Sequence, residues 1–436
     1  MKLKKKEIWL YLYTFLAIFQ PPILPISFIY VFGAVTAILI IIDKAKIKNY
    51  VLIAKENGSI KLYKLFLLMA LYAIFISIVN VIFIDSTNLT DNRLKCLNQL
   101  LVLTGIQLLS VSYILKTANS LNYSFYDILR LIMVAGILQG ICAVLAYLFP
   151  TIRKAFTHFG GEIYQSAYVW ERRGYGFSGI LLDTFGYGMG LIAGCALLTF
   201  NKNKLIKILS LVLSLVATLL NARTGIIVFA IAFIMFICKN KKNKISFLRI
   251  VFLIPIMIAA AYFIAPLIFE VGLSSDNTTV VWVISGLRNM YNAVFSGEFG
   301  NASFISDYQF STNIFELIFG SGHSIYGIQD IIGFHSDIGY VNLIWTYGII
   351  GSGIILFALM RVFVNAYCKS KDNIQKLIVV FLGIAYLVVM IKAILIGSNP
   401  GTMITYLILF SMTYFGERES KRLKCYGKRI KRYCYA

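Results

Sequence analysis

The chain of 436 residues is 59% hydrophobic, with a mean hydropathy of +0.79 and a formal net charge of +22. Soluble domains hold about 45–50% apolar residues, so the composition excludes an ordinary water-soluble enzyme. Most of the 41 lysines and arginines fall in segments that one membrane face would share, so the positive-inside rule accounts for the charge and no nucleic-acid partner is expected.

A helix needs about 20 apolar residues to cross a ~30 Å hydrocarbon core. Apolar segments near 8–20, 23–42, 62–84, 97–115, 128–149, 176–200, 205–220, 224–238, 248–270, 337–360, 377–396 and 401–415 predict an all-α integral membrane protein of about twelve spans. Gln20-Pro21-Pro22 makes a tight turn between the first two. Met1–Lys6 leads straight into apolar hairpins with no small-residue cleavage site, so no cleavable signal peptide is expected. The basic run at 239–244 and the tail from Arg418 anchor the orientation, with both termini cytoplasmic. The whole chain, 1–436, reads as one polytopic membrane domain, with a large external loop at 271–336 and a basic cytoplasmic tail at 416–436. Two further external segments, 85–96 and 150–175, are longer than a tight turn. Seven cysteines are scattered without a CxxC pair, which predicts neither a disulfide framework nor a metal site.

The large loop has periodicity of its own. Val280, Val283, Ile284, Leu287, Tyr291 and Val294 share one helical face, with Ser285, Arg288, Asn289, Asn292 and Ser296 opposite. This predicts an amphipathic helix on the outer leaflet with Arg288 turned to water. A second short helix is predicted over Asn313–Phe319, stopped by Gly320-Ser321-Gly322.

Four arginines fall on the outer side: Arg172, Arg173, Arg223 and Arg288. The guanidinium fork grips phosphate in a bidentate way. Arg153 and Lys154 accompany them. Arg223 lies in Asn221-Ala222-Arg223-Thr224-Gly225, a minimal turn in which Thr224 or Asn221 could cap the next helix. The exposed N–H groups of that helix would face the same anion as Arg223. Arg172-Arg173-Gly174-Tyr175-Gly176-Phe177-Ser178-Gly179 has the same ingredients, with Asp183 about two turns into the following helix as an intramembrane carboxylate. Beyond the large loop, His335, Asp337 and Tyr340 cluster at the start of another span, with Ser336 as a plausible N-cap. A histidine or aspartate there could take a proton from a hydroxyl nucleophile. His323 and Asp330 are secondary candidates.

Three features together resemble the bacterial O-antigen and capsular polysaccharide polymerases of the Wzy type. They are RRGYGFSG before a helix, NARTGIIVFAIAF after a turn, and HSDIGYVNLIWTYGIIG after the large loop. The resemblance covers roughly residues 5–415 and implies a polymerase/ligase architecture like that of the GT-C glycosyltransferases. It implies a glycosyltransferase that uses an undecaprenyl-pyrophosphate-linked sugar donor outside the cytoplasmic membrane, with no nucleotide sugar, cofactor or metal. Arg172, Arg173, Arg223 and Arg288 become ligands of the pyrophosphate, and His335 and Asp337 become candidates for the base. Asp183, Tyr340 and His323 become supporting residues. Partners are lipid-linked oligosaccharides, membrane lipids and a chain-length regulator protein. The nearest alternative is the related O-antigen ligase, which shares the topology, the arginines and the histidine. A flippase or other transporter is the alternative from a different class; it would bind substrate at the bilayer midplane with broken helices and buried charges.

Overall fold

The computed structural model describes residues 5–22, 27–43, 47–83, 98–157, 174–179, 182–199, 204–221, 224–239, 269–270, 273–274, 281, 284–285, 288, 291–292, 309–322, 338–393, 395 and 399–434. All regular structure among them is helical. In chain order the helices are α1 (Lys5–Phe19), α2 (Phe28–Ile42), α3 (Ile47–Glu56), α4 (Ser59–Phe83) and α5 (Thr104–Ser120). A short π-helix, Asn98–Leu103, leads into α5. There follow α6 (Phe125–Leu148), α7 (Pro150–Thr157), α8 (Leu182–Leu198), α9 (Lys204–Asn221) and α10 (Thr224–Lys239). The chain closes with α11 (Ile314–Phe319), α12 (Gly339–Lys369), α13 (Asn373–Val389) and α14 (Pro400–Cys434).

Five helical stretches among the described residues are long and apolar enough to cross a membrane: Ser59–Asn80, Leu100–Ser120, Phe125–Leu148, Lys204–Asn221 and Gly339–Lys369. Phe28–Ile42 and Ile47–Glu56 meet the same test only as a pair, bent by 117°. The stretches Asp183–Leu198, Thr224–Lys239 and Asn373–Val389 are apolar but shorter. These are the helices of a multi-pass α-helical membrane protein. Most of the apolar stretch at 248–270 lies outside the described residues.

Local signals set the helix ends. At the start of α6 the Ser124 N–H and hydroxyl both donate to Asp127 Oδ2, at 2.8 and 2.7 Å, which is the carboxylate half of a capping box. Asp372 caps α13 by accepting from Gln375 N at 2.8 Å. Asn399 does the same for α14 through Thr402 N, also at 2.8 Å, with Pro400 in the first turn where a missing N–H costs nothing. Helix α14 does not stop at 415: its backbone continues as helix through Cys434, into the basic tail.

The chain divides into two compact units. The first holds Met1–Gln20, Ile26–Ala135 and Phe310–Ala436. Its interior includes the ring cluster of Tyr13, Phe32 and Tyr113, with Tyr13 and Tyr113 centroids 4.5 Å apart. Buried rings of α14, Tyr406 and Phe410, belong to the same core. Where α2 ends and α3 begins, Lys116 of α5 forms an ion pair with Asp43 and donates to Tyr50 Oη at 3.0 Å.

The second unit holds Pro21–Pro25 and Gly136–Gln309. In it α8 packs against α9 and α10. Gly186 and Gly190, one turn apart on α8, face Gly225 at the start of α10. A Cβ on Gly190 would lie 2.6 Å from the Gly225 carbonyl oxygen, so the helices meet backbone to backbone. Small residues at such contacts are how membrane helices gain packing without a hydrophobic driving force.

Candidate functional site

In the second unit, residues 174–179 are not helical; they lie across α6. Two buried side-chain amides hold them. Gln139 Nε2 donates to the Tyr175 carbonyl at 2.6 Å, and Asn221 Nδ2 donates to the Gly174 carbonyl at 2.9 Å. Gly176 sits at φ 62°, and a Cβ there would lie 2.6 Å from Ala143 N, so both conformation and space call for glycine. Phe156 of α7 meets Phe177, their ring centroids 5.2 Å apart.

The N-terminal turns of α8 and α10 touch. Thr224 Oγ1 donates to the Asp183 carbonyl at 3.0 Å. Each helix presents the positive end of its dipole at this point. Arg223 is the residue before Thr224, and Arg172-Arg173 immediately precede Gly174. Two adjoining helix N-termini form an arrangement suited to a phosphate group. Asp183 is half-buried in the first turn of α8, not two turns in, because 174–179 are not helical and α8 runs from Leu182. A carboxylate in that turn is favoured by the dipole. Asn221 and Thr224 both reach across the unit with their side chains instead of capping α10.

Arg153 has a structural use. Its Nε donates to the Ala146 carbonyl at 2.9 Å and its Nη2 to the Tyr147 carbonyl at 3.2 Å, closing the C-terminal end of α6. Burial pushes this guanidinium below its ordinary value, and nearby Tyr147 acts in the opposite direction.

In the first unit, residues 313–322 of the large loop dock beside a break in α12. Asn313 caps α11, its Oδ1 accepting from Phe315 N at 2.9 Å, and Gly320 at φ 90° ends it. The short helix predicted over Asn313–Phe319 is thus found as Ile314–Phe319 between those two caps. Within α12, Gly348 has φ 67° and ψ 179°, a conformation that only glycine adopts without strain, and it divides the helix in two. The break frees carbonyls at the end of the first half. Ser321 answers one: its N–H and its hydroxyl both donate to the Trp345 carbonyl at 2.8 Å. Gly322 N donates to the Thr346 carbonyl at 3.1 Å. From α4, Tyr72 Oη donates to the Phe319 carbonyl at 2.8 Å and Asn80 Nδ2 to the Gly320 carbonyl at 3.2 Å.

Of the sequence-predicted site residues, Asp183, Arg288 and Tyr340 are described. Arg288 is helical and exposed, and Ser285 in the same turn donates to the Val281 carbonyl at 2.8 Å. Tyr340 is half-buried, its Oη donating to the Leu387 carbonyl at 2.9 Å and its N–H to the Met390 carbonyl at 3.3 Å. Arg172, Arg173, Arg223, His323, His335 and Asp337 lie outside the described residues. No known protein family, curated protein or solved structure matches the chain.

Sequence reasoning did not single out Gln139, nor the break at Gly348. A lone glutamine inside an apolar span was the available signal for the first. For the second it was a glycine in mid-helix, which costs about 1 kcal/mol relative to alanine and wants a reason.

Proposed function

We propose that this chain is an O-antigen or capsular polysaccharide polymerase. It joins undecaprenyl-pyrophosphate-linked oligosaccharide repeat units on the outer face of the bacterial cytoplasmic membrane, with about twelve spans and both termini cytoplasmic. The observation that carries the reading is the Thr224–Asp183 contact. It brings two helix N-termini together at Thr224, the chain neighbour of Arg223, while Asn221 holds Gly174, the chain neighbour of Arg173; in this reading that is a setting for a pyrophosphate leaving group. In this reading the three arginines stabilise the departing pyrophosphate, and Arg288 is a further ligand from the large loop. His335 or Asp337 takes the proton from the acceptor sugar hydroxyl as it attacks the anomeric carbon. The bond to pyrophosphate breaks as the glycosidic bond forms, which inverts the anomeric configuration.

The transporter reading gains one observation, the discontinuous helix α12. Among the described residues of α12 from Gly339 to Ser352 and of α4 from Met69 to Asn80 there is no charged side chain, so this break lacks the ionisable groups by which a transporter grips a charged substrate.

Complementation of a deletion strain with wild type, Arg223→Ala and His335→Ala, read as surface polysaccharide on a gel, tests the proposal. A polymerase gives loss of the ladder with a single repeat unit still attached at the surface. Long lipid-linked chains accumulating without surface attachment would identify the ligase. A normal ladder in every strain would remove the polysaccharide assignment.

A further inference from the structure

Three polar atoms around the break in α12 have no protein partner: Ser77 Oγ, Asn80 Oδ1 and Ser352 Oγ. Their residues are 1%, 6% and 4% exposed. All three belong to residues that flank the Gly320–Gly348 crossing. Asn80 binds the Gly320 carbonyl through its other amide atom. A Cβ on Gly322 would lie 2.6 Å from Ser77 Cβ. The backbones of Gly320 and Gly348 touch, since a Cβ on Gly320 would lie 2.6 Å from Gly348 N. Ser352 stands one turn past Gly348, and a helical side chain leans back over the turn that precedes it.

The chemistry of the missing partner follows from charge. The negative end of the half-helix before Gly348 adjoins the positive end of the half-helix after it, so the two dipoles largely cancel. No charged side chain occurs among Met69–Asn80, Leu317–Gly322 or Gly339–Ser352. A bare ion buried without a counter-charge costs far more than neutral oxygens of this number can return. Leaving the three atoms empty costs about 1–3 kcal/mol for each. An ordered water costs about 0–2 kcal/mol to immobilise and needs two to four polar partners. Neutral hydrogen-bonding solvent is the occupant that balances.

We propose that the Gly320–Gly348 crossing is a hydration site, in which ordered water bridges Asn80 Oδ1, Ser77 Oγ and Ser352 Oγ and joins α4 to the broken helix α12. The site stands independently of the polymerase reading. Its role is to complete the hydrogen bonding of irregular backbone inside a membrane bundle, where solvent is otherwise absent.

Hydroxyl-radical footprinting of the intact protein in lipid nanodiscs tests this, because radicals generated from bound water oxidise adjacent side chains. Met69 is the reporter: its Cε would lie 3.2 Å from a Cβ on Gly351, and the residue is 2% exposed. Met189, 0% exposed, is the reference. Met69 is expected to oxidise faster than Met189. In the triple variant Ser77→Ala, Asn80→Leu, Ser352→Ala its rate is expected to fall to that of Met189. A wild-type Met69 no faster than Met189 would overturn the proposal, as would an unchanged rate in a folded triple variant. A saturable rise of Tm with sodium or potassium, lost in the triple variant, would replace water by an ion and overturn it too. Should the triple variant fail to fold, the wild-type comparison of the two methionines still decides.

Discussion

Gly320 and Gly348 cross backbone to backbone: a Cβ on Gly348 would lie 2.5 Å from Gly320 N, and both residues have positive φ. This crossing, with the Ser321 and Gly322 hydrogen bonds to α12, seats residues 320–322 of the large loop on that helix. Gly348→Ala and Gly320→Ala combine strained backbone with a main-chain clash, so each is expected to cost about 1–3 kcal/mol or more. Gly353, five residues on, has nothing within 4 Å of a built Cβ. Gly353→Ala should instead raise stability by about 0.5–1 kcal/mol, as expected for a helix interior. Thermal unfolding in detergent, followed by loss of the monodisperse peak, separates the three variants.

Gln139 and Asn221 hold the segment that follows Arg172 and Arg173. Replacing either by leucine leaves a carbonyl, of Tyr175 or Gly174, without its amide donor. Each change is expected to cost about 1–3 kcal/mol. If the segment positions the pyrophosphate ligands, the polysaccharide ladder of either variant should weaken further than its membrane level does. Ladder intensity normalised to protein by immunoblot measures this.

Arg153 is expected to behave unlike Arg223. It supplies two charge-assisted hydrogen bonds to the C-terminal end of α6, so Arg153→Ala should cost about 1–2 kcal/mol. Lysine lacks the fork and should recover only part of that loss. With expression restored to the wild-type level, Arg153→Ala should retain its ladder while Arg223→Ala loses it.

The Lys116–Asp43 pair, with Tyr50 between its members, ties the bent α2–α3 pair to α5. Its side chains are 19% and 26% exposed, so each ion is only partly desolvated. Lys116→Met and Asp43→Asn alone should each cost about 1–3 kcal/mol, because each strands a half-buried charge. The double variant should cost less than the sum of the two. A double-mutant cycle on Tm checks the coupling, and strict additivity would show that the pair does not stabilise the bend.

Much of the architecture was legible because it depends on local composition. Apolar runs near 62–84, 97–115, 128–149, 205–220 and 337–360 correspond to the five crossing helices. The Asn313 cap and the Gly320 stop were readable from residue type, since a side-chain oxygen before a helix and a glycine after it act within one turn. The bend after α2 was not legible, because Ile47–Glu56 carries its own charges and its helix is held by Lys116, seventy residues away. Nor was the displaced start of α8: an apolar stretch from Phe177 onward gives no sign that backbone contact with α6 and the Gln139 and Asn221 amides hold 174–179 out of the helix.

The sequence by itself determined the helical class and the membrane as solvent, since hydropathy acts residue by residue along the chain. Only the tertiary structure decided which distant residues meet. The meeting of Thr224 with Asp183, of Asn221 with Gly174 and of Gly320 with Gly348 joins residues 41, 47 and 28 apart. Such contacts arise from packing and from the need to pair every buried backbone polar group, and neither requirement leaves a periodic trace in the amino-acid order.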